Sequence, residues 1–173
     1  ASEGGDKMAL CGIGHVAFKC RNVEESLHYY HDILGCPIKF RLTYGEWARY
    51  VLDEAEKNGT APNPYAQSVL SRGDDVWITY IELGNGQFAE LFDPDGTTEA
   101  GLVDGKLNYQ HVAIVTDDIH ALYKSILEKG GPIDSAPSFG MEHTWQMWSH
   151  DPDGNKIEFM QYTDQSFQVV GRS

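Results

Sequence analysis

Gly14-His15-Val16-Ala17-Phe18 alternates small or polar positions with apolar ones at the two-residue period of a strand. The same alternation returns at Gln110-His111-Val112-Ala113-Ile114. Each run meets a helix-start signal, Asn22 before Val23 and Asp117-Asp118 before Ile119. Side-chain oxygens of Asn and Asp accept the free backbone N–H groups of a first helical turn. The helices that follow each carry one apolar stripe. Val23, Leu27, Tyr30 and Leu34 form the first, ended by Gly35; Ile119, Leu122, Ile126 and Leu127 form the second, ended by Gly130-Gly131-Pro132.

The correspondence continues. Trp77 stands 13 positions before Glu90, and Trp145 stands 13 before Glu158. Gly84-Asn85-Gly86 and Asp151-Pro152-Asp153-Gly154-Asn155 are the intervening turns. The strands Phe88–Phe92 and Lys156–Met160 follow, each with one glutamate among apolar residues. The halves are offset by 96 residues at the histidines and by 68 at the glutamates, so the first half carries 28 extra residues. These are expected near 53–72, where Asn58-Gly59-Thr60-Ala61-Pro62-Asn63-Pro64 resists regular structure. The division expected is a leader or cloning remnant (1–9), a first module (10–93), a linker (94–108), a second module (109–164) and a tail (165–173). Each module reads strand, helix, then several strands, an α+β protein of two similar halves.

Charge narrows the partners. The 173 residues carry 26 acids against 13 Lys and Arg, a formal net charge of −13, which repels nucleic acid and anionic membranes. A hydrophobic fraction of 41% suffices for a packed core. No apolar run reaches the ~18 residues of a membrane span, and the first residues lack the pattern of a signal peptide. Cys11, Cys20 and Cys36 are odd in number and form no CxxC pair, which points to a reduced, cytoplasmic setting. Cys20, between Lys19 and Arg21, is the one candidate thiolate.

Strand alternation puts His15 on one face with Ala17 and Lys19, and His111 with Ala113 and Val115. Glu90 shares a face with Phe88 and Phe92, and Glu158 with Met160. Val16, Phe18, Leu91, Val112, Ile114, Ile157 and Phe159 then form the helix-packed face. Charged carboxylates inside apolar strands are costly unless partnered. Two His and two Glu at repeat-related places converge if the sheets curve together, and imidazole with carboxylate suits a divalent Zn, Ni, Co, Mn or Fe. His28, His31 and His120 read as solvent-exposed, whereas His143 and His150 flank a strand end within reach of a pocket rim.

Gly14-His15-Val16-Ala17, Gln87-Phe88-Ala89-Glu90-Leu91, Gln110-His111-Val112-Ala113 and the run Asp151–Glu158 together resemble the vicinal oxygen chelate superfamily. That group includes glyoxalase I, methylmalonyl-CoA epimerase, extradiol dioxygenases and antibiotic resistance proteins. The resemblance implies paired βαβββ modules forming an open, curved mixed sheet with helices on the outer face. It implies a metal held by His15, Glu90, His111 and Glu158, a small-molecule substrate and a homodimer. Zn or Ni fits the glyoxalase I type, lactoylglutathione lyase-like, which a glutamate at the position of Glu90 resembles. Glu158 is then the better base for a proton alpha to a carbonyl, and Glu90 its partner. An Fe-dependent extradiol-type dioxygenase and a non-enzymatic drug-binding protein are the alternatives. Lys19 stands where glyoxalases carry an arginine for the thiol cofactor's carboxylate, and Phe88, Phe92, Met160 and Trp148 are candidates for an apolar wall.

Overall fold

The computed structural model describes residues 13–96 and 109–171. The expected leader (1–9), Cys11, most of the expected linker and the end of the tail lie outside them. The first half runs β1 (His15–Lys19), α1 (Val23–Leu27), a π-helical continuation (His28–Ile33), β2 (Ile38–Thr43), α2 (Tyr44–Asn58), α3 (Pro64–Val69), a 3-10 turn (Leu70–Arg72), β3 (Val76–Gly84) and β4 (Gln87–Phe92). The second runs β5 (Val112–Val115), α4 (Ile119–Glu128), β6 (Ser135–Phe139), β7 (Trp145–His150), β8 (Lys156–Gln161) and α5 (Phe167–Val170). The strands form two mixed four-stranded sheets with the same order, β1-β4-β3-β2 and β5-β8-β7-β6. In each, the first strand lies parallel to the last while the rest are antiparallel. Neither sheet closes into a barrel. This is the paired βαβββ architecture, and it leaves β1 and β5 as sheet edges.

Local chemistry sets these elements. Asn22 caps α1 by accepting from the Glu24 and Glu25 backbones, and Asp118 caps α4 through Ala121. Asn85 (φ 50°) and Gly86 (φ 73°) turn the β3–β4 hairpin through the left-handed region that such two-residue turns require. The π turn adds a residue to the helical repeat, so Tyr29, Tyr30 and Ile33 are all buried instead of Tyr30 alone in that stretch. In α4, Ile119 and Ile126 are buried but Leu127 is half exposed. It lies about 80° around the helix from that line, off the stripe first drawn through it.

Between β2 and β3 the chain is helical from Tyr44 onward, ahead of the 53–72 region in which surplus chain is expected. Thr43 and Glu46 form a reciprocal capping box that starts α2, and Gly59 in the left-handed region ends it. Asn63 and Pro64 then start α3. This insertion has its own small core of Tyr44, Ala48, Ala66 and Val69, flanked by Trp47 and Trp77. The Tyr44 hydroxyl donates to Asp93 at 2.8 Å, and the Arg72 guanidinium lies 3.6 Å above the Tyr44 ring while pairing with Asp75, Asp93 and Asp95. These contacts fasten the insertion to the end of β4.

One apolar core joins the modules. Phe18, Tyr29, Tyr30, Ile33, Ile81 and Leu91 from the first pack with Ile119, Ile126, Met147, Ile157 and Phe159 from the second. Both sheets therefore turn their helix-bearing faces inward. The Asp151–Asn155 turn is the staple at this seam. Fully buried Asp151 accepts the Tyr30 hydroxyl at 3.0 Å, the Asp153 and Asn155 backbones, and the Asn155 amide. Asp153 receives the Arg21 backbone and side chain. Tyr29 donates to Ser149, which donates on to the Pro132 carbonyl. At Gly131 an added Cβ would come within 2.6 Å of Ile33 and 2.7 Å of Ile126, so the approach admits no side chain.

Removing a buried carboxylate that serves four donors strands all of them. Asp151→Ala should cost about 3 kcal/mol or more of unfolding free energy in urea titrations. Arg21→Ala, which removes the solvent-exposed member of its pair with Asp153, should cost far less. Equal, small losses for the two variants would contradict the stapling role.

Candidate metal centre

The registers place each glutamate in a row across its sheet. In the first, Ala17, Glu90, Tyr80 and Phe40 lie side by side on β1, β4, β3 and β2. In the second, Ala113, Glu158, Trp148 and Ser135 do so on β5, β8, β7 and β6. His15 precedes Ala17 by two residues and shares its face; His111 precedes Ala113 in the same way, one residue outside the hydrogen-bonded part of β5. Each histidine thus meets the glutamate of the adjacent parallel strand. His15 Nε2 lies 3.4 Å from Glu90 Oε2, and His111 Nε2 lies 3.3 Å from Glu158 Oε2.

The carboxylates are deeply set, with side chains 8% and 10% exposed, while the imidazoles are 52% and 35% exposed. Each pair therefore presents a solvent-reachable nitrogen beside a desolvated carboxylate. Burial pushes the Glu158 carboxyl above its ordinary range, an effect that His111 opposes and Glu142 reinforces. The Tyr80 hydroxyl donates to Glu90 Oε1, and that bond, with burial, pushes its phenol up to about 12. Neither Tyr80 nor its place beside Glu90 stood out in the sequence. The signal was there: Tyr80 and Trp148 are separated by 68 residues, the same offset as the glutamates.

Within one chain the four residues form two pairs, not one cluster. Both histidines line a cleft of about 630 Å³ between the edge strands β1 and β5, together with Phe88, Tyr109 and Tyr162; the glutamates sit one strand further in and do not line it. Among the described residues no group of three or more His, Cys, Asp or Glu comes together in a way that could hold a metal ion. Each pair alone does fit two places around such an ion. Donors about 2.1 Å from a metal, at octahedral to tetrahedral angles, lie about 3.0 to 3.4 Å apart. The donor set, imidazole and carboxylate without thiolate, suits Zn, Ni, Co, Mn or Fe.

The other expected residues divide. Lys19 is exposed on the His15 face, opposite Phe92, with no ion pair among the described residues. Phe88 lines the cleft, whereas Phe92 packs on Trp77 and Trp148 packs edge-on against His111 at 5.0 Å. Met160 does not line the cleft. Cys20 is buried against the Phe18 carbonyl, and burial raises its thiol to about 12, which makes it inert instead of a thiolate. His28 and His31 are exposed, as expected; His120 is exposed and meets Trp145 edge-on at 4.9 Å. His143 is held between Phe139 and Phe167, and His150 bonds Asp134 at 2.8 Å; neither lines the cleft.

The fold agrees with the comparisons. The family model described as the glyoxalase/bleomycin resistance protein/dioxygenase superfamily matches residues 12–159, and the chain belongs to that superfamily. Lactoylglutathione lyases of Neisseria meningitidis serogroups A and B are each 26% identical to it over 151 residues, covering 85% of this chain and 88% of theirs. Among solved structures, a lactoylglutathione lyase from Agrobacterium tumefaciens shares the fold at a TM-score of 0.56 and 14% identity, over 89% of this chain and 96% of that one. A glyoxalase I mutant from Zea mays does so at 0.59 and 19%, over 88% of this chain and 45% of that one. No helix among the described residues is long and apolar enough to cross a membrane.

Because the Glu158 carboxyl is raised in the folded state, its ionisation opposes folding. That favourable protonated contribution is complete below the unfolded value of about 4.3 and is lost as pH rises through the folded one. In chelator-treated protein, the stability of Glu158→Gln relative to the unmodified chain should therefore rise between pH 4 and pH 7. Urea midpoints at several pH values read this; a difference that stays flat or falls with pH would contradict the desolvated setting.

Proposed function

We propose that this chain is a metal-dependent lyase or isomerase of the glyoxalase I type, with His15, Glu90, His111 and Glu158 as ligands. The observation that carries the reading is the pair of repeat-related His–Glu contacts at 3.4 and 3.3 Å, each on the open face of its sheet. Because both helix-bearing faces share one core, a pair in one chain is completed by the other pair of a second copy. His15 and Glu90 of one protomer would meet the partner's His111 and the partner's Glu158, in a two-fold homodimer. Apolar exposure at the cleft supports such a contact: Ile13, Val115 and Tyr162 line it with much of their surface open to solvent.

The substrate class that suits this site is the thiol adduct of a 2-oxoaldehyde. Its conversion is an internal redox isomerisation that needs no outside reductant. A proton leaves the carbon bearing sulfur and hydroxyl and returns to the neighbouring carbonyl carbon, giving a 2-hydroxyacyl thioester. When bound, a divalent metal would supply positive charge to stabilise the oxyanion that develops as the proton leaves. Glu158 is the base that moves the proton: it has no hydrogen-bond donor beyond His111 among the described residues, so it is free to turn toward substrate. Glu90 is its fixed counterpart. Lys19, on the same face as His15 and without an ion pair among the described residues, offers a positive charge to a carboxylate on the thiol, as a point charge and without an arginine's fork. The lactoylglutathione lyase relatives make glutathione the first thiol to test. A reduced, cytoplasmic setting goes with such a thiol.

Elemental analysis of the purified protein, followed by assay of the methylglyoxal–glutathione hemithioacetal with Ni or Zn, tests this reading. Thioester should form, stop on chelation and resume on adding metal. Glu158→Gln should lower kcat by about 10² to 10⁴. Metal-free protein with full activity, or an active Glu158→Gln variant, would overturn it. Oxygen uptake with catechols under Fe(II) would indicate a dioxygenase instead, and stoichiometric drug binding without metal a sequestering protein.

A further inference from the structure

The two half-sites have the same plan but not the same fittings. In both rows an aromatic residue stands next to the glutamate on the antiparallel neighbour strand, Tyr80 beside Glu90 and Trp148 beside Glu158. Tyrosine alone brings a hydroxyl, and it donates to Glu90 Oε1. The other oxygen, Oε2, is the one that faces His15 Nε2 at 3.4 Å. One lone-pair direction of Glu90 is thus spent on a neutral donor, and the oxygen left over points to the histidine. Tyr80 is itself held. Phe40 stacks on its ring at 4.1 Å and 21°, and Phe88 meets its edge at 6.2 Å. Rings locked on two sides lose little further freedom in holding a hydrogen bond, so the carboxylate is oriented before any ligand arrives.

The other half-site lacks this device. Trp148 packs against His111 and lies under Lys156, leaving Glu158 without a second donor among the described residues. The asymmetry falls on the residues whose chemistry differs under the proposed function.

We propose that Tyr80 is a positioning residue that commits Glu90 to a one-oxygen metal contact beside His15, leaving Glu158 as the movable carboxylate. The proposal rests on the metal-centre reading above and adds to it the residue that separates the two glutamates. Tyr80 acts through Glu90 alone: it need touch neither substrate nor metal.

Cobalt(II) binding, followed by d–d absorption and quantified by chelator competition, tests this on the full chain. Tyr80→Phe keeps the ring and its stacking and removes only the hydroxyl. It should weaken cobalt binding about tenfold and alter the d–d spectrum. In a Glu90→Ala background the same change should do nothing, because the residue it orients is gone. A loss of equal size in both backgrounds would show a merely structural effect and overturn the proposal. So would unchanged affinity in Tyr80→Phe, while cobalt binding by the unmodified chain would leave the metal centre standing. No cobalt binding by the unmodified chain would overturn the metal-centre reading and, with it, this role for Tyr80.

Discussion

A carboxylate buried on an interior strand has to be answered by a partner, and Glu90 and Glu158 are both of this kind. Glu90 and Glu158 occupy β4 and β8, each flanked by strands on both sides and almost removed from water. Desolvation of such a group is expensive unless a cation, a hydrogen bond or a metal compensates it. The parallel pairing of β1 with β4, and of β5 with β8, brings a histidine into that place from an edge strand. The order of strands, the parallel contact and the small residues Ala17 and Ala113 beside the glutamates all serve one juxtaposition. A larger residue at either alanine would stand next to the carboxylate, where the histidine has to reach across.

A second constraint comes from the core. Each module has a helix-bearing face that cannot be left to solvent, and the molecule satisfies both at once by pressing them together. Tyr29, Tyr30 and Arg21 of the first module are held by Ser149 and the Asp151–Asn155 turn of the second. The motif that most resembles the superfamily is thus largely a joint between modules, and its chemistry ends at Glu158. The same packing keeps the two His–Glu pairs apart within a chain. Stability of the monomer and completeness of its site pull in different directions, and the proposed association of two copies would reconcile them.

The strand and helix alternation, the repeat and the faces of His15, Glu90, His111 and Glu158 were legible because period-two burial leaves a direct mark on residue type. Phe18, Leu91, Ile157 and Phe159 are buried as that alternation requires. Helical detail was less legible. Leu127 looks apolar enough for the stripe but faces solvent, and the π turn that buries Tyr29 with Tyr30 has no simple sequence signature. The start of α2 was announced by Thr43 and Glu46, yet the Pro- and Gly-rich stretch after it drew attention to the loop instead. Tyr80 shares the 68-residue offset of the glutamates, yet its role was not legible from that offset alone. Its role depends on which strand lies beside β4, and register across a sheet is set by tertiary packing that one strand's sequence does not carry. Whether the four candidate ligands meet in one chain or across two was not legible in the repeat; within one described chain they form two separate His–Glu pairs.

In the proposed dimer each site is built from His15 and Glu90 of one chain with the partner's His111 and the partner's Glu158. Complementation between two inactive variants tests it most directly. Glu90→Gln and Glu158→Gln chains should each be inactive as homodimers, since both sites of each are damaged. Co-refolded in equal amounts, they should recover about one quarter of the unmodified activity, because half the dimers are mixed and each of those holds one intact site. Sites contained within single chains would give no recovery at any mixing ratio, and that result would contradict the account.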